Sequence, residues 1–388
     1  MTAPPAAGTS ATSDAAAAAA PRSDLVVVGA GIVGLAHAVE AVDRGLSVTV
    51  VERDDRAVGA SVRNFGHGCV TAQSGRALRL ALTARRRWVE LGARAGFWVG
   101  ETGAVVAARA DDEMAVLTEL AGERGDDVRL LDAGELQALA PVSGEGLRGG
   151  ALLGLDVRVD PRQALPALAG WLARQPGVRF LWSTSLLGVE PGRVRTSRGD
   201  VEAGHVVVCV GHDVDHLFPE IAAEAGVERC ELHMLQVAAP HGRAYSPAVL
   251  TGTSLLRYAA FAACPSAADV RRRIKHDAPE LLAADVNLMF TQRPDGDLTI
   301  GDTHHRARTV DAFRDEQYDD LLLAETGLLL GVERLTVRRR WQGIYASAPD
   351  DFLVAAPADG ARVVSVTSGI GMTTAFGLAL DVLDDLLP

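Results

Sequence analysis

The sequence predicts an α/β fold in which two domains are interleaved, a nucleotide-binding α/β domain and an α+β domain built on a mixed or antiparallel sheet. Three observations lead to this prediction. A glycine-rich turn follows the first strand, a second glycine-rich turn precedes a helix at the far end of the chain, and the region between them is rich in strands. Because both ends have the pattern of one α/β unit, the middle of the chain must supply the other domain.

The composition disfavours several classes of protein. A formal net charge of −12 over 388 residues disfavours binding to nucleic acid or to anionic membranes. No apolar run reaches the ~18 residues that span a bilayer. Cys69, Cys209, Cys230 and Cys264 show neither metal-binding spacing nor a disulfide framework, which favours a reducing cytoplasm. Residues 1–22, almost wholly Ala, Pro, Ser, Thr and Gly, are predicted to form a disordered tail.

The first element is a complete βαβ opening. A strand from Asp24 to Val28 leads into Gly29-Ala30-Gly31-Ile32-Val33-Gly34 and a helix, and a second strand ends at Glu52-Arg53. Gly-x-Gly-x-x-Gly is typical of a Rossmann-type turn, where the missing side chains let a pyrophosphate approach the helix N-terminus. Glu52 stands where an acid binds ribose hydroxyls. We therefore predict a bound dinucleotide, either FAD or NAD, rather than a purely structural turn.

The last element distinguishes these two dinucleotides. The strand Arg362–Thr367 leads through Ser368 into Gly369-Ile370-Gly371-Met372-Thr373 and a helix that continues to Leu387. The amides of this second helix N-terminus suit an electron-rich group, such as the pyrimidine edge of a flavin, whose negative charge grows on reduction. FAD is therefore preferred, and the alternative is an ordinary glycine-rich strand-to-helix turn.

Between the two ends, alternating helices and strands give way to strands with long connections. Helices are predicted at Arg76–Ala95, Asp111–Arg124, Asp160–Ala173 and Asp315–Leu330. Strands are predicted at Glu101–Arg109, Val178–Trp182, Gly188–Thr196, His205–Val210, Leu232–Ala238, Leu255–Phe261, Val286–Gln292 and Leu298–Gly301. We assign residues 23–90, 150–230 and 338–388 to the nucleotide-binding domain and residues 91–149 and 231–337 to the substrate domain.

Taken together, these motifs resemble those of the D-amino-acid oxidase superfamily of FAD-dependent oxidoreductases, which includes glycine oxidase and sarcosine oxidase. The resemblance covers nearly all of residues 23–388 and rests on the first turn with Glu52, Gly59-Ala60-Ser61 with Arg63-Asn64-x-Gly66, Val206–Gly211, Ile300–His304 and Gly369-x-Gly371-Met372. A narrower resemblance, to a bacterial subgroup associated with 2-aminoethylphosphonate catabolism, rests on Asn64–His67, Ser254–Tyr258, Cys264–Ser266, Gly301–His304 and Trp341–Ser347.

The superfamily resemblance implies a D-amino-acid-oxidase-like FAD domain whose flavin is covered by the sheet of the substrate domain. It places Ser61 and Asn64 near the pyrophosphate or flavin, Val189 near the adenine, Gly211 at the cofactor, and Gly371, Met372 and Thr373 at the flavin ring. Noncovalent FAD is expected, because no cysteine precedes Ala348-Pro349-Asp350 as it does in sarcosine-oxidase-type relatives. Those relatives carry a lysine where Thr299 stands, so the electron acceptor is either oxygen or a redox carrier.

The resemblance also implies oxidation of a C–N bond in a small amine by hydride transfer to flavin N5, giving an imine that hydrolyses. Arg257, beside Tyr258 on a predicted strand, is the candidate for binding the acidic group of the substrate, and a surface arginine is the alternative. His304 could receive a proton or bind a phosphonate oxygen. His67 could contact flavin or substrate, or link covalently to the flavin.

No metal site is expected, because His212 and His216 have zinc-like spacing but lack a third ligand. Two other functions stay open at this point. One is an FAD-dependent 2-hydroxy-acid dehydrogenase, since C–O and C–N hydride donors are geometrically alike, and the other is a flavin-binding protein without catalytic activity. The sequence does not predict the oligomeric state.

Overall fold

The computed structural model describes residues 22–387, so the predicted tail, except Arg22, lies outside the described residues. The strands are β1 (Ser23–Val28), β2 (Val48–Val51), β3 (His67–Gly68), β4 (Val99–Gly100), β5 (Ala104–Ala108), β6 (Val128–Leu131), β7 (Gly149–Leu153), β8 (Val157–Val159), β9 (Val178–Leu181), β10 (Leu186–Glu190), β11 (Arg193–Thr196), β12 (Val201–Val208), β13 (Glu228–Val237), β14 (Ala248–Leu250), β15 (Met289–Gln292), β16 (Leu298–Gly301), β17 (His305–Ala307), β18 (Val337–Ala355) and β19 (Ala361–Ser368). The α-helices are α1 (Ile32–Asp43), α2 (Gly75–Ala95), α3 (Asp111–Arg124), α4 (Ala133–Leu139), α5 (Pro161–Ala173), α6 (Val214–Leu217), α7 (Pro219–Glu224), α8 (Ala259–Ala262), α9 (Ala267–Asp277), α10 (Pro279–Ala283), α11 (Glu316–Leu330) and α12 (Gly371–Leu386).

One half of the main sheet is parallel, with the strand order β19-β12-β1-β2-β9. The valine-rich residues of β1 and β2 are almost all buried, as expected of parallel strands that are covered on both faces. Helices α1, α2, α5 and α12 bury their apolar residues together on one face of this half. The predicted Rossmann-type α/β domain is confirmed, and both ends of the chain contribute to it.

The other half continues the sheet in the order β6-β7-β5-β14-β15-β16-β13. Its pairs are antiparallel, apart from the parallel pair of β5 and β14. A second apolar cluster, with Tyr245, Phe261 and Phe290 among its members, fills the space between this half and its helices. The predicted mixed sheet of the α+β part is therefore confirmed.

Strand β18 connects the two halves because it is 19 residues long. Its first part pairs with β13 up to Ser347, and its second part, from Phe352 to Ala355, pairs with β19. The predicted domain border at residue 338 thus falls at the start of a strand that both halves share. Where the two pairings meet, the sheet leaves room for a cavity between the halves.

Two predicted strands are wrong. The segment Leu255–Phe261 forms a 3₁₀ turn over Gly252–Leu256 followed by α8. The Ser254 hydroxyl holds this turn by donating to Asn287 Oδ1 at 2.7 Å. The apolar residues of this segment, which led to the strand prediction, pack within two helical turns instead. The segment Gly188–Thr196 is two strands, β10 and β11, because Pro191-Gly192 makes a hairpin turn between them.

Candidate active site

A cavity of about 430 Å³ lies between the two halves of the molecule. The cavity is lined by the turn after β1, the start of α12, strands β13 and β15, and the loop after β16. Every stretch of chain that the sequence motifs singled out, apart from Cys264–Ser266, contributes at least one residue to this lining. The cavity is therefore the candidate active site.

The first glycine turn has the geometry that a pyrophosphate requires. Gly29 has φ of +102°, and a Cβ on it would lie 2.3 Å from the Cys209 carbonyl oxygen. A Cβ on Gly34 would lie 1.9 Å from the Gly29 oxygen, so this glycine permits the close packing of helix on strand. The amide of Ile32 donates to Ser61 Oγ at 2.9 Å, which places the Ser61 hydroxyl at the N-terminus of α1. These residues fit the diphosphate of FAD.

The second strand of the βαβ unit ends at the predicted ribose-binding acid. Glu52 accepts hydrogen bonds from the amides of Ala30 at 2.7 Å and Asp54 at 3.0 Å, and it lines the cavity together with Arg53 and Gly211. Ala30 itself is fully buried and acts through its amide.

The adenine end of the cavity differs in detail from the prediction. Val189 does not line the cavity, because it pairs with Val194 inside the β10–β11 hairpin and packs on the apolar core. Three consecutive residues just before it, Thr184, Ser185 and Leu186, line the cavity instead. These residues, a few positions earlier, are the part of this segment that reaches the cavity.

The second glycine turn faces the same cavity from the other end of the chain. Helix α12 begins at Gly371, and no side chain caps its N-terminus. Two contacts fix the turn: Trp88 Nε1 donates to the Met372 carbonyl at 2.7 Å, and the Cys69 amide donates to Thr373 Oγ1 at 3.1 Å. Gly369, Gly371, Met372 and Thr373 all line the cavity, so amides of a helix N-terminus are available to the flavin ring.

Asn64 supports the loop between these two turns. Its Nδ2 donates to the carbonyls of Ala60 and Ser61 at 3.0 and 3.1 Å, and its Oδ1 accepts from the Gly66 amide at 2.8 Å. Because both ends of the amide are used within the loop, Asn64 shapes the cavity wall that it lines.

Arg257 lies at the same end of the cavity as the α12 turn. Its Nη2 donates to the Ser368 carbonyl at 2.8 Å and to the Tyr345 hydroxyl at 3.2 Å. Burial alone would lower the pKa of Arg257, but the neighbouring Tyr345, Tyr258 and Asp302 raise it, so the guanidinium stays charged. Both of these hydrogen bonds use Nη2, and the remaining N–H donors of the guanidinium are open to a ligand.

Two tyrosines flank this arginine, one of which was predicted. The Tyr258 hydroxyl donates to the sulfur of Met289 at 3.6 Å, and burial raises the pKa of Tyr258 well above its usual value. Burial also raises the pKa of Tyr345. Both phenols are therefore neutral hydrogen-bonding groups in the cavity wall.

Asp302 and His304 form a polar part of the cavity wall near Arg257. His304 Nδ1 donates to the Asp285 carbonyl at 2.8 Å, and its Nε2 lies 3.9 Å from Asp302 Oδ2. Burial and the charge of Arg257 lower the pKa of His304 to about 3. Burial raises the pKa of Asp302 to about 7, although Arg257 and the Asn287 amide oppose this rise.

His67 lines the cavity but is tied to a buried carboxylate. Its Nε2 donates to Asp156 Oδ2 at 2.8 Å, and Asp156 Oδ1 accepts from the amides of Val70 and Thr71. His67, Cys69 and Asp156 have ligand atoms within 4.8 Å of one another, as a metal site would. However, burial and the Asp156 charge raise the pKa of the Cys69 thiol, and the carboxylate is already hydrogen-bonded on both oxygens. The donor set therefore suits a hydrogen-bonded wall better than a metal site.

Sequence reasoning missed Asp302, Tyr345 and Asn287 as cavity residues, and it missed Asp156 as the partner of the cavity-lining His67. Asp302 and Tyr345 lie inside motifs that were noticed, Gly301–His304 and Trp341–Ser347, so the signal was present. Asn287 and Asp156 carry no local motif, because each reaches the site through a contact with a residue that is distant in sequence.

A dinucleotide turn, a second helix N-terminus and a buried polar wall around one cavity define a class of protein, the flavin-dependent oxidoreductases. The chain belongs to the DAO family, described as FAD dependent oxidoreductase, whose family model matches residues 24–384. FAD is accordingly its cofactor. Within residues 22–387, no helix combines the length and the apolar character needed to cross a bilayer.

Solved structures share this fold across nearly the whole chain. L-proline dehydrogenase from P. horikoshii has a TM-score of 0.74 at 20% identity and covers 92% of this chain and 91% of its own. Glycine oxidase from Geobacillus kaustophilus has a TM-score of 0.73 at 22% identity and covers 94% of each chain. Among curated proteins, glycine oxidase from Bacillus licheniformis is 25% identical over 216 residues, which are 52% of this chain and 58% of that protein. This chain thus spans a little over half the length of the curated relative that it matches.

Proposed function

We propose that this protein oxidises a C–N bond in a small primary or secondary amine that carries an acidic group. The substrate class comprises amino acids, N-methyl amino acids and aminophosphonates, and the product is an imine that hydrolyses to a carbonyl compound. FAD, held between the first glycine turn and the start of α12, supplies the hydride acceptor. The residues of this chain bind the substrate, orient it and manage its protons.

The observation that carries the proposal is the charged, partly buried guanidinium of Arg257 at the α12 end of the cavity. A charged arginine in a largely apolar cavity is costly unless an anion shares the site, and its open N–H donors suit a carboxylate or a phosphonate. Ser368 and Tyr345 hold Nη2, so the direction of the remaining donors is fixed before the substrate arrives.

The proposed reaction also requires that water be excluded from the substrate, and the apolar part of the cavity wall supports this exclusion. Phe65, Leu232, Met234 and Met289 line the substrate end, and the main sheet lies behind them. An amine held by its acidic group at Arg257 would present its carbon in this apolar section. A cavity that excludes water protects the substrate, which donates the hydride, from side reactions, and it strengthens each polar contact there.

His67, Cys69 and Cys209 are among the cavity-lining side chains able to bond covalently to a flavin, and their environments support noncovalent FAD. His67 is hydrogen-bonded to Asp156. Burial raises the pKa of the thiols of Cys69 and Cys209, so neither is a thiolate at neutral pH. We also propose a cytoplasmic location, because all four cysteines are free thiols.

We propose that the electron acceptor is a redox carrier in preference to oxygen. Thr299 is buried on β16, where oxygen-using relatives carry a lysine. The only lysine of the chain, Lys275, is an exposed residue of α9 that does not line the cavity.

The experiment that tests the proposed function is an anaerobic screen of flavin bleaching. The purified FAD-loaded protein is mixed with glycine, sarcosine, D- and L-amino acids, 2-aminoethylphosphonate and its N-methyl form, and with 2-hydroxy acids as the contrasting class. We expect loss of the oxidised flavin absorbance with at least one amine and with no hydroxy acid. Bleaching by hydroxy acids alone would make the protein a 2-hydroxy-acid dehydrogenase, and bleaching by no donor would leave a flavin-binding protein without this chemistry.

A further inference from the structure

We propose that Asp302 and His304 form the amine-recognition pair of the active site, in which Asp302 Oδ2 and His304 Nε2 accept hydrogen bonds from the same substrate nitrogen. In this role Asp302 also takes the proton that the substrate ammonium must lose before its C–N bond is oxidised. The inference rests on the proposed function and adds to it which residues recognise the amine.

His304 is held as a hydrogen-bond acceptor towards the cavity. Because Nδ1 contacts a carbonyl oxygen, that of Asp285, it must carry the proton of the neutral ring. Nε2 then has a lone pair, and the ring lines the cavity. A neutral imidazole whose lone pair faces the ligand would repel a phosphonate oxygen and attract an N–H group.

Asp302 supplies the second acceptor from the end of β16. Its Oδ1 accepts from Asn287 Nδ2 at 3.3 Å, and the backbones of these two residues exchange hydrogen bonds at 2.9 and 3.0 Å. The carboxylate is therefore fixed in place, with 5% of the residue exposed. Oδ2 is left facing His304.

The distance between the two acceptors indicates what belongs between them. At 3.9 Å, Asp302 Oδ2 and His304 Nε2 are too far apart to hydrogen-bond to each other, yet one nitrogen with two N–H groups can donate to both. Arg257, with its anion-binding donors, lines the same cavity. The wall thus offers one site for an anion and another for a cation, which matches a substrate carrying both.

The proton step balances without any further reactant. A primary or secondary ammonium breaks one N–H bond, the carboxylate of Asp302 forms one O–H bond, and the electron pair stays on nitrogen. The resulting neutral amine has the lone pair that C–N oxidation needs. The protonated Asp302 then returns the proton to solvent after the product leaves.

The pH dependence of binding follows from the charge of Asp302. Its pKa of about 7 in the unliganded protein means that the carboxylate form, which attracts an ammonium, is present above that pH. Amine affinity should therefore rise about tenfold per pH unit as the pH approaches 7 from below, and then level off.

The titratable and charged groups facing Asp302 are Arg257, Tyr258, Tyr345, His304, Asp285 and Cys230. Among Asp302 and these neighbours, Asp302 alone has a pKa near neutrality, because burial raises the pKa of the phenols and the thiol and keeps them neutral.

The test compares amines with isosteric probes that lack the N–H group. The pairs are glycine with propanoate, sarcosine with methoxyacetate, and 2-aminoethylphosphonate with propylphosphonate. Half-saturation is measured anaerobically for the amines, and the flavin difference spectrum gives Kd for the probes that lack nitrogen. The variants are Asp302→Asn, which keeps the acceptor towards Asn287, and Asp320→Asn as a matched control, since Asp320 is exposed on α11.

We expect Asp302→Asn to weaken amine binding about 10- to 100-fold and to leave the matched probe unaffected. In the wild type, amine affinity should increase with pH through 7 and probe affinity should not. If Asp302→Asn weakens both members of a pair equally or neither, or if wild-type amine affinity is flat in pH, the inference is wrong while the amine still bleaches the flavin. If no amine bleaches the wild-type flavin, the proposed function fails and the inference fails with it.

Discussion

Arg257 is the residue on which the proposed binding of an acidic substrate depends. Its charged side chain lines the cavity, and Ser368 and Tyr345 hold it in one orientation. Sequence reasoning chose this arginine among many because of the motif around it. The strand predicted around Arg257 was wrong. Arg257 nevertheless lies at the cavity, because the 3₁₀ turn before it is hydrogen-bonded to Asn287, which also lines the cavity.

The substitution Arg257→Met should raise the half-saturating concentration of any anionic amine by about 10- to 100-fold, because it removes a charge-assisted contact and keeps only an unbranched apolar side chain like the stem of arginine. FAD content should stay unchanged. The matched control is Arg271→Met, since Arg271 is exposed on α9. An unchanged half-saturation in Arg257→Met, measured by anaerobic bleaching, would remove Arg257 from the binding site.

His304 and Asp302 illustrate the limit of prediction at this scale. The histidine was a candidate because it follows a strand end, but its tautomer depends on the Asp285 carbonyl, which lies 19 positions earlier in the chain. Neither the distance to Asp302 nor the burial of the pair can be obtained from a sequence pattern. The chemical role of the pair therefore emerged only from the fold.

At the scale of elements, the two glycine turns are the predicted binding elements for the cofactor. Both were predicted, because missing side chains and a following helix leave a local signature that short-range reasoning can detect. The turns face one cavity because β1 and β19 are both neighbours of β12 in the parallel sheet. Strands whose signal is local, such as β1 and β2, were predicted well, whereas the β10–β11 hairpin was missed because its turn lies inside an apparently continuous strand.

The substitution Gly34→Ala should abolish or strongly reduce FAD binding. The added Cβ would lie 1.9 Å from the Gly29 carbonyl oxygen, so α1 must shift away from the turn that receives the pyrophosphate. We expect a loss of about 1–3 kcal/mol in the free energy of unfolding, together with reduced flavin content measured by absorbance.

Gly122→Ala is the matched control for this substitution. Gly122 lies in α3, and an added Cβ there would have no neighbour within 4 Å. Alanine should therefore be neutral or stabilising by up to about 1 kcal/mol. If Gly34→Ala retained full FAD content and stability, the first turn would not be the pyrophosphate site.

At the scale of the whole molecule, the site exists because one long strand belongs to both halves. Strand β18 pairs with β13 on one side and with β19 further along, which brings Tyr345 to the cavity beside Arg257. The interleaving of two domains could be predicted from the change of sequence texture. The register of β18 against β13 could not, because a pairing partner about a hundred residues away leaves no periodic signal in either segment.

The proposed substrate class rests on the arrangement of the whole cavity. Arg257 lies beside the α12 turn, Asp302 and His304 form a polar part of the wall near it, and apolar side chains line the cavity as well. A small amine with an acidic group matches the charges of this cavity. A hydroxy acid would satisfy Arg257, but its single O–H could not donate to Asp302 and His304 at the same time.

The most direct test of the central claim is an anaerobic single-turnover reaction with the best amine from the screen. The flavin absorbance and the released products are measured in the same sample. We predict that each reduced flavin is accompanied by one carbonyl compound and one equivalent of ammonia, or of the alkylamine from an N-alkylated substrate. Flavin that stays oxidised with every amine, or flavin reduction that releases no nitrogenous product, would contradict the assignment of this protein as an FAD-dependent amine oxidoreductase.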